Sequence, residues 1–475
     1  MEEAVVFYPA PLISHLFSTI ELCKLIIKQK PSLSINVLTT TAPYDTSSTS
    51  DFISTASTTL PSITFHSLPT LTLPHTLLSS TPIPETLLFH VLHHNHPHVH
   101  QTLLSISKAH KIQALVLDIF CAQSISIASQ LNLPAFIFFT SGASTVASFL
   151  YHPTIHETYD KSFKELNTFL RIPGVPPIPS CDMPKCLHER NDETYKNLLE
   201  CSVDARKASG FIVNTFEALE PRCIKAISSG LCIPNSPTPP LYCLGPMITN
   251  TEEKPCDEEC LRWLDKQPSK SVVLLCFGSL GAFSKEQLCE IAIGLERSGQ
   301  RFLWVVRNPV SDGKENKPSL GLKEDPDMDS LLPEGFLGRT KEMGLVVKNW
   351  APQEAVLKHD SVGGFVSHCG WNSVLEAVSG GVPMVAWPLY AEQRFNRVVL
   401  VEDMEIALWM HESVSGFVTA IEVEERVKEL MESENGKRVR KRVMIVKCEA
   451  EAALREGGSS CLALAKLLQS WKGPA

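Results

Sequence analysis

The 475-residue chain contains no apolar run of the roughly 18 residues needed to span a bilayer. Its longest candidates, Leu131–Thr140 and Val272–Phe277, are short and bounded by Pro or Gly, so they read as buried strands and no membrane insertion is expected. Excess positive charge is missing too. Against 43 Lys and Arg stand 52 Asp and Glu, a formal net charge of −9, so the chain lacks the basic footprint of a nucleic-acid partner or an anionic-lipid binder. Met1-Glu2-Glu3 leads straight into a strand-like run without the basic segment and cleavage site of a signal peptide, which makes the cytoplasm the expected compartment. The 15 cysteines form no CxxC pair, and several, such as Cys23, Cys121 and Cys276, lie in apolar runs. They are expected to be reduced core residues. Cys256 and Cys260 flank acidic residues but have no second ligand pair nearby, so no metal is expected. The G-x-G-x-x-G fingerprint is also absent, Gly278-Ser279-Leu280-Gly281 being the only comparable turn, and this argues against the rival reading of an NAD-dependent oxidoreductase.

With 44% hydrophobic and 20% charged residues and 33 dispersed prolines, the chain reads as globular, and its length suggests two or three domains. Short β-branched runs alternate with helical stretches: Ala4–Tyr8, Ile35–Leu38, Ile63–His66, Ile112–Asp118, Ala135–Phe139, Gly210–Asn214 and Leu241–Leu244. After a polar stretch from Ile248, a second series follows at Ser271–Phe277, Phe302–Val306, Leu345–Lys348, Gly363–Ser367 and Met384–Trp387. Such alternation predicts an α/β fold of two facing, doubly wound, Rossmann-like domains. The expected boundaries are residues 1–246, a linker at 247–260, a second domain at 261–448 and a helix from 449 to 475 that packs back on the first domain. A monomer is expected.

Two segments invite a metal reading and are assigned bland roles. His93, His94, His96, His98 and His100 cluster without a carboxylate among them, and Pro97 interrupts them, so they are read as a surface helix end. Asp325-Pro-Asp327-Met-Asp329 carries an Asp-x-Asp pattern but follows no strand, and it is read as a solvated loop.

Chemistry concentrates between Trp350 and Gln393. Gly363–Ser367 is a strand end, and His368-Cys-Gly-Trp-Asn-Ser373 is a turn opening a helix with Val374, Leu375 and Val378 on its apolar side. A helix N-terminus with Gly, Asn and Ser in its first turn collects backbone N–H groups for a phosphate, and His368 adds a donor. Glu376, one turn after Asn372, is placed to accept from ribose hydroxyls. A nucleotide diphosphate fits this pattern.

This segment, with Trp350-Ala-Pro-Gln353, His368 through Glu376, Gly381-Val-Pro383, Trp387-Pro388 and Glu392-Gln393, closely resembles the signature box of the plant secondary-product UDP-glycosyltransferases. That family has the GT-B fold, with an interdomain cleft, and transfers sugar with inversion and without metal. The resemblance implies that Trp350 stacks on uracil, the Ala351 backbone holds the base edge, Gln353 lies beside the ribose and Glu376 binds it. It further implies that Ser279, His368, Asn372 and Ser373 contact phosphates, while Trp371, Glu392 and Gln393 hold sugar hydroxyls. UDP-glucose would be a co-substrate, with no cofactor. Val385 and Trp387 read as core.

The second constellation pairs His15, opening an amphipathic helix after the first strand, with Asp118 at the end of Ile112–Asp118. Both reach the carboxyl rim of a parallel sheet, where such sheets place ligands. A neutral His oriented by a carboxylate can take a proton from a hydroxyl, and the resemblance gives His15 the role of general base. Family members generally carry Gly where this chain has Ser14. Phe120, Phe138, Phe139 and Phe149, with Tyr390, are the residues offered to an apolar acceptor pocket, and Thr140 to the sugar's 6-hydroxyl. A phenolic acceptor of flavonoid or isoflavonoid type and glucose as the sugar are expected, Gln393 supplying a donor and an acceptor to adjacent equatorial hydroxyls. The alternatives are a different sugar, a non-flavonoid acceptor, or a catalytically silent nucleotide-sugar binder, the last disfavoured by the presence of both His15 and Asp118.

Overall fold

The computed structural model describes residues 1–41, 48–71, 84–248, 258–309 and 325–471. The chain divides into two compact units, Met1–Thr249 with Ala452–Ala475, and Asn250–Glu451. Most of the anticipated linker, residues 249–257 with Cys256, lies outside the described residues.

The first unit is built on β1 (Glu2–Tyr8), β2 (Ser34–Thr39), β3 (Ile63–Ser67), β4 (His110–Asp118), β5 (Ala135–Phe139), β8 (Gly210–Val213) and β9 (Leu241–Cys243). They form one sheet in the order β3-β2-β1-β4-β5-β8-β9, with every neighbouring pair parallel. A short antiparallel pair, β6 (Phe169–Leu170) and β7 (Ile178–Pro179), stands apart from it. Strands of this kind are covered on both faces, which is why β1 and β4 are continuous apolar runs without the alternation of a half-exposed strand: Ala4–Tyr8 and Ile112–Asp118 are buried throughout. The final helix, Ser459–Ser470, closes the far edge. Its Ser460 hydroxyl donates to the Gly245 carbonyl at 2.6 Å, and Leu464, Leu467, Leu468 and Trp471 enter the core with Phe136. The helix expected to begin at 449 is corrected here: Glu449 lies within the helix Glu434–Leu454, and the chain turns at Gly457, whose φ is +77°.

The second unit repeats the plan with β10 (Val272–Cys276), β11 (Arg301–Val306), β12 (Gly344–Lys348), β13 (Val362–Ser367), β14 (Met384–Ala386) and β15 (Ala407–Trp409). Its order is β12-β11-β10-β13-β14-β15, again all parallel. Val385 and Trp387 are core, Trp387 meeting Phe277 edge-on at 5.5 Å.

In each sheet the chain first winds outward on one side of a central strand and then returns to build the other side. The reversal falls between β1 and β4 in the first unit and between β10 and β13 in the second. Loops leaving the carboxyl ends of two strands diverge at such a point and open a crevice, so this topology locates the ligand sites before any side chain is considered.

Three expectations need revision. Pro97 does not end a helix: Pro84–Ala109 runs through it, held by buried Leu88, Leu92, Val99 and Leu103 on both sides, and the histidine cluster is mid-helix. Of the acidic loop, residues 311–324 lie outside the description. Asp325 is no idle solvated residue, because it accepts from the Asn349 side chain at 2.9 Å, and Asp327 opens the short helix Met328–Leu331. Among the fourteen described cysteines, none of them in a disulfide, Cys181 and Cys448 are exposed and not core.

Candidate active site

In the first unit the site grows from the β1/β4 crevice. The helix Ile13–Gln29 starts after the turn that follows β1 and places His15 in its first turn. Asp118 is the last residue of β4 and caps the short 3₁₀ helix Ile119–Ser124. Its two oxygens divide the work: Oδ1 accepts from the Phe120 N–H at 3.0 Å, which fixes the carboxylate, and Oδ2 accepts from His15 Nδ1 at 2.7 Å. With the proton on Nδ1, the basic nitrogen of His15 is Nε2. The Asp118 side chain is almost fully buried while His15 retains 17% exposure, so the carboxylate is shielded and the imidazole accessible. Ser14 sits in the helix with no left-handed backbone, so nothing in the turn demands a glycine.

Phe120 lies 5.6 Å from the His15 ring and meets Phe89 at 5.9 Å. Phe149 is half-buried on the helix Ala143–Thr158 and meets Phe139 edge-on at 5.4 Å. Phe138 belongs to the core instead of a pocket wall. Phe89 was not anticipated, since it sits in a helix with no motif. Thr140, offered to the sugar, has its hydroxyl 3.5 Å from His15 Nδ1 and so stands beside the base.

In the second unit the β10/β13 crevice gathers the box. Gly370 caps the helix Trp371–Gly380 and has no side chain to occupy the first-turn N–H groups. Asn372 and Ser373 occupy that turn, and Val374, Leu375 and Val378 are fully buried beneath it. His368 is buried, and a Cβ at Gly278 or Gly370 would run into its ring, so both neighbouring turns must be glycine. Burial and then the Arg307 charge push the His368 pKa down to about 4, so at neutral pH it contributes a hydrogen-bonding ring without charge. Its buried Nδ1 has no partner among the described residues.

Gln353, opening the helix Gln353–Lys358, donates to Ser373 Oγ at 2.8 Å and to Glu376 Oε2 at 2.6 Å. Glu376 is only half-buried by surface exposure, yet its carboxyl is ringed deeply enough by protein that desolvation, partly offset by Gln353, pushes its pKa up to about 7. Trp350 follows Asn349, a left-handed residue with φ +60°, and remains 41% exposed. Such exposure of so large an apolar ring is what a stacking platform needs. Ala351 is buried, leaving its backbone as its only polar feature. Ser279 is exposed on the Gly278 turn.

One box residue departs from expectation. Gln393 is buried, and its Oε1 accepts from the Leu389 and Tyr390 N–H groups at 2.9 and 3.0 Å, so its acceptor is spent on the turn and only the amide donor suits a sugar. Tyr390, expected against the acceptor, lies 6.1 Å from the His368 ring in the second unit. Glu392 caps the following helix and receives Asn396 at 3.4 Å; Asn396 also donates to the Cys369 carbonyl at 3.0 Å, tying two box loops together. Trp371 is buried in the helix's first turn. Arg307, just after β11, escaped the sequence reading because it belongs to no motif. Among the described residues no group of three or more His, Cys, Asp or Glu is arranged to hold a metal, and no helix is long and apolar enough to cross a membrane.

Two parallel-sheet, Rossmann-like units, each with a crevice at its reversal, are the GT-B plan of nucleotide-sugar-dependent glycosyltransferases. Comparison agrees. The family model for UDP-glucoronosyl and UDP-glucosyl transferase matches residues 236–446. UDP-glycosyltransferase 88B1 of Stevia rebaudiana is 52% identical over 98% of both chains, and isoflavone 7-O-glucosyltransferase 1 of Glycine max is 45% identical over 99% of this chain and 100% of its own. The solved structure of Phytolacca americana UGT2 with UDP-2-fluoro-glucose and pterostilbene superposes with a TM-score of 0.88 at 34% identity, covering 99% of this chain and 100% of that one. The chain belongs to the UDP-glycosyltransferase family, and it is an enzyme.

Proposed function

We propose that the protein is an inverting O-glucosyltransferase that moves glucose from UDP-glucose to a phenolic hydroxyl of a flavonoid- or isoflavonoid-type acceptor. The observation that carries the reading is the 2.7 Å bond between His15 Nδ1 and Asp118 Oδ2, which leaves Nε2 as the basic nitrogen of His15. His15 Nε2 takes the acceptor proton, and Asp118 balances the resulting imidazolium. The acceptor oxygen forms a bond to the anomeric carbon as the bond from that carbon to the β-phosphate oxygen breaks. UDP leaves with the electron pair, and one displacement inverts the centre. No covalent enzyme intermediate is needed.

Charge on the departing diphosphate is met by first-turn N–H groups of Trp371–Gly380, by Asn372, Ser373 and Ser279, and by the neutral His368 ring. Trp350 stacks on uracil, the Ala351 backbone reads its edge, and Glu376, shared with Gln353, binds the ribose. The sugar hydroxyls meet Trp371, Glu392 and the amide of Gln393. On the acceptor side, Phe120 and Phe149 provide flat apolar contact, and Thr140, beside His15, is offered to the sugar's 6-hydroxyl. None of the residues proposed to meet the diphosphate is a carboxylate, and the reaction is read as metal-independent. That the Glycine max relative is named for an isoflavone and the Phytolacca americana structure holds pterostilbene supports a flat phenol as acceptor. A screen of phenolic acceptors with UDP-glucose, read by mass spectrometry for a hexose adduct and by NMR for the β-anomer, tests this. An α-linked product, or reaction only with non-phenolic alcohols, would overturn it.

A further inference from the structure

The sheet order β12-β11-β10-β13 puts the end of β11 between the phosphate turn after β10 and the turn after β12 that presents Trp350. Arg307 occupies that position. Its Nη1 donates to the Ser279 carbonyl, and its Nε donates to the Asn349 carbonyl at 3.0 Å, so one guanidinium joins both turns. Asn349 is held again from its side chain, which donates to Asp325. Asn349 holds a left-handed backbone, φ +60°, which is uncommon outside glycine, and these two contacts fix it there.

We propose that Arg307 is a positioning residue of the UDP-sugar site, clamping the phosphate turn to the base-stacking turn so that Ser279 and Trp350 keep the separation a uridine diphosphate requires. The proposal rests on the reading of the second unit as the UDP site. Arg suits this role where Lys does not. A planar fork reaches two carbonyls in fixed directions, whereas an ammonium on a flexible stem delivers the same charge without the geometry. Arg307 is also packed close enough to His368 for its charge to depress that ring's protonation, which leaves the imidazole a neutral partner for phosphate oxygens. Asp325, exposed and joined only to the outer turn, supports the same clamp more weakly.

The test compares wild type, Arg307→Lys, Arg307→Met and Asp325→Ala by calorimetric titration with UDP and with uridine, by steady-state kinetics and by thermal melting. Arg307→Lys should bind UDP about tenfold more weakly and raise the UDP-glucose KM by a similar factor, with acceptor KM unchanged and kcat within about threefold. Arg307→Met should lose more on UDP than on uridine, because charge near the diphosphate is removed as well. Asp325→Ala should shift UDP affinity by about twofold in the same direction. Wild-type UDP affinity in the Lys variant would overturn the clamp in favour of plain charge. Losses shared equally by acceptor KM, kcat and melting temperature would overturn it in favour of general scaffolding. If wild type itself took up no UDP, the reading of the site, and with it the clamp, would fall, a result distinct from either.

Discussion

The β1/β4 and β10/β13 crevices are one topological feature used twice, and they spread their chemistry along the chain in opposite ways. In the second unit, nearly every residue proposed to bind UDP-sugar lies between Trp350 and Gln393, because the loops after β12, β13 and β14 all leave the same sheet edge within that stretch. In the first unit the proposed chemistry rests on a single pair, His15 and Asp118, 103 residues apart in sequence and brought together because β1 and β4 are sheet neighbours. Holding a nucleotide takes many weak contacts from converging loops, and a contiguous segment can supply them. Moving one proton takes two groups in one geometry, which strand pairing provides. On the proposed reading, specificity for the donor is thereby concentrated in one segment, while the acceptor side is left to scattered aromatics.

The comparison sharpens most at the base. His15→Ala is expected to lower the transfer rate to phenols by about 10²- to 10⁴-fold. Near-normal turnover with a weakly acidic hydroxyl would break the division at once. Asp118→Asn should fall in the same direction but less far, by disturbing the tautomer that puts the basic nitrogen at Nε2. On the donor side, Gln393→Glu keeps an oxygen to brace the Leu389–Tyr390 turn and removes the amide donor. The preference for UDP-glucose over UDP-galactose in direct competition should then erode by about 5- to 150-fold; an unaltered ratio would reduce Gln393 to a turn brace.

A smaller effect is expected from pH. The Glu376 carboxyl, raised to about 7, is largely ionised at pH 8 and largely protonated at pH 6, so UDP affinity should decline severalfold over that fall. Glu376→Gln should flatten the profile. Its linkage to stability has the opposite sign. A raised folded-state pKa contributes stability below the unfolded value of about 4.5 and loses it as pH rises through about 7, so the ligand-free protein should gain from this group on acidification while its grip on UDP weakens. The smallest effect expected is none: saturating EDTA should leave the rate unaltered, and a loss restored by Mg²⁺ or Mn²⁺ would bring a metal back into the donor site.

How much of this was legible in the chain follows from the same contrast. Twelve of the main-sheet strands were readable because two-face burial writes them as apolar runs, as in Val272–Cys276. β6 and β7, two residues each, were too short to leave such a run, whereas β15, Ala407–Trp409, was passed over although it is no shorter than β9 and β14. Pro97 misled because buried neighbours along Pro84–Ala109 hold a helix that local propensity would end. The box announced itself, but the internal use of Gln393's oxygen did not, since it depends on how the turn closes. Arg307 and Phe89 belong to no motif and became visible only when sheet order placed one between two turns and packing set the other against Phe120.

The most direct test of the division between the two crevices is calorimetric titration of UDP into His15→Ala. A dissociation constant equal to wild type, in a protein whose transfer rate has collapsed, is the expected result. Weakening of UDP binding in proportion to the lost rate would contradict it, showing that His15 serves the nucleotide and that the base must be sought elsewhere.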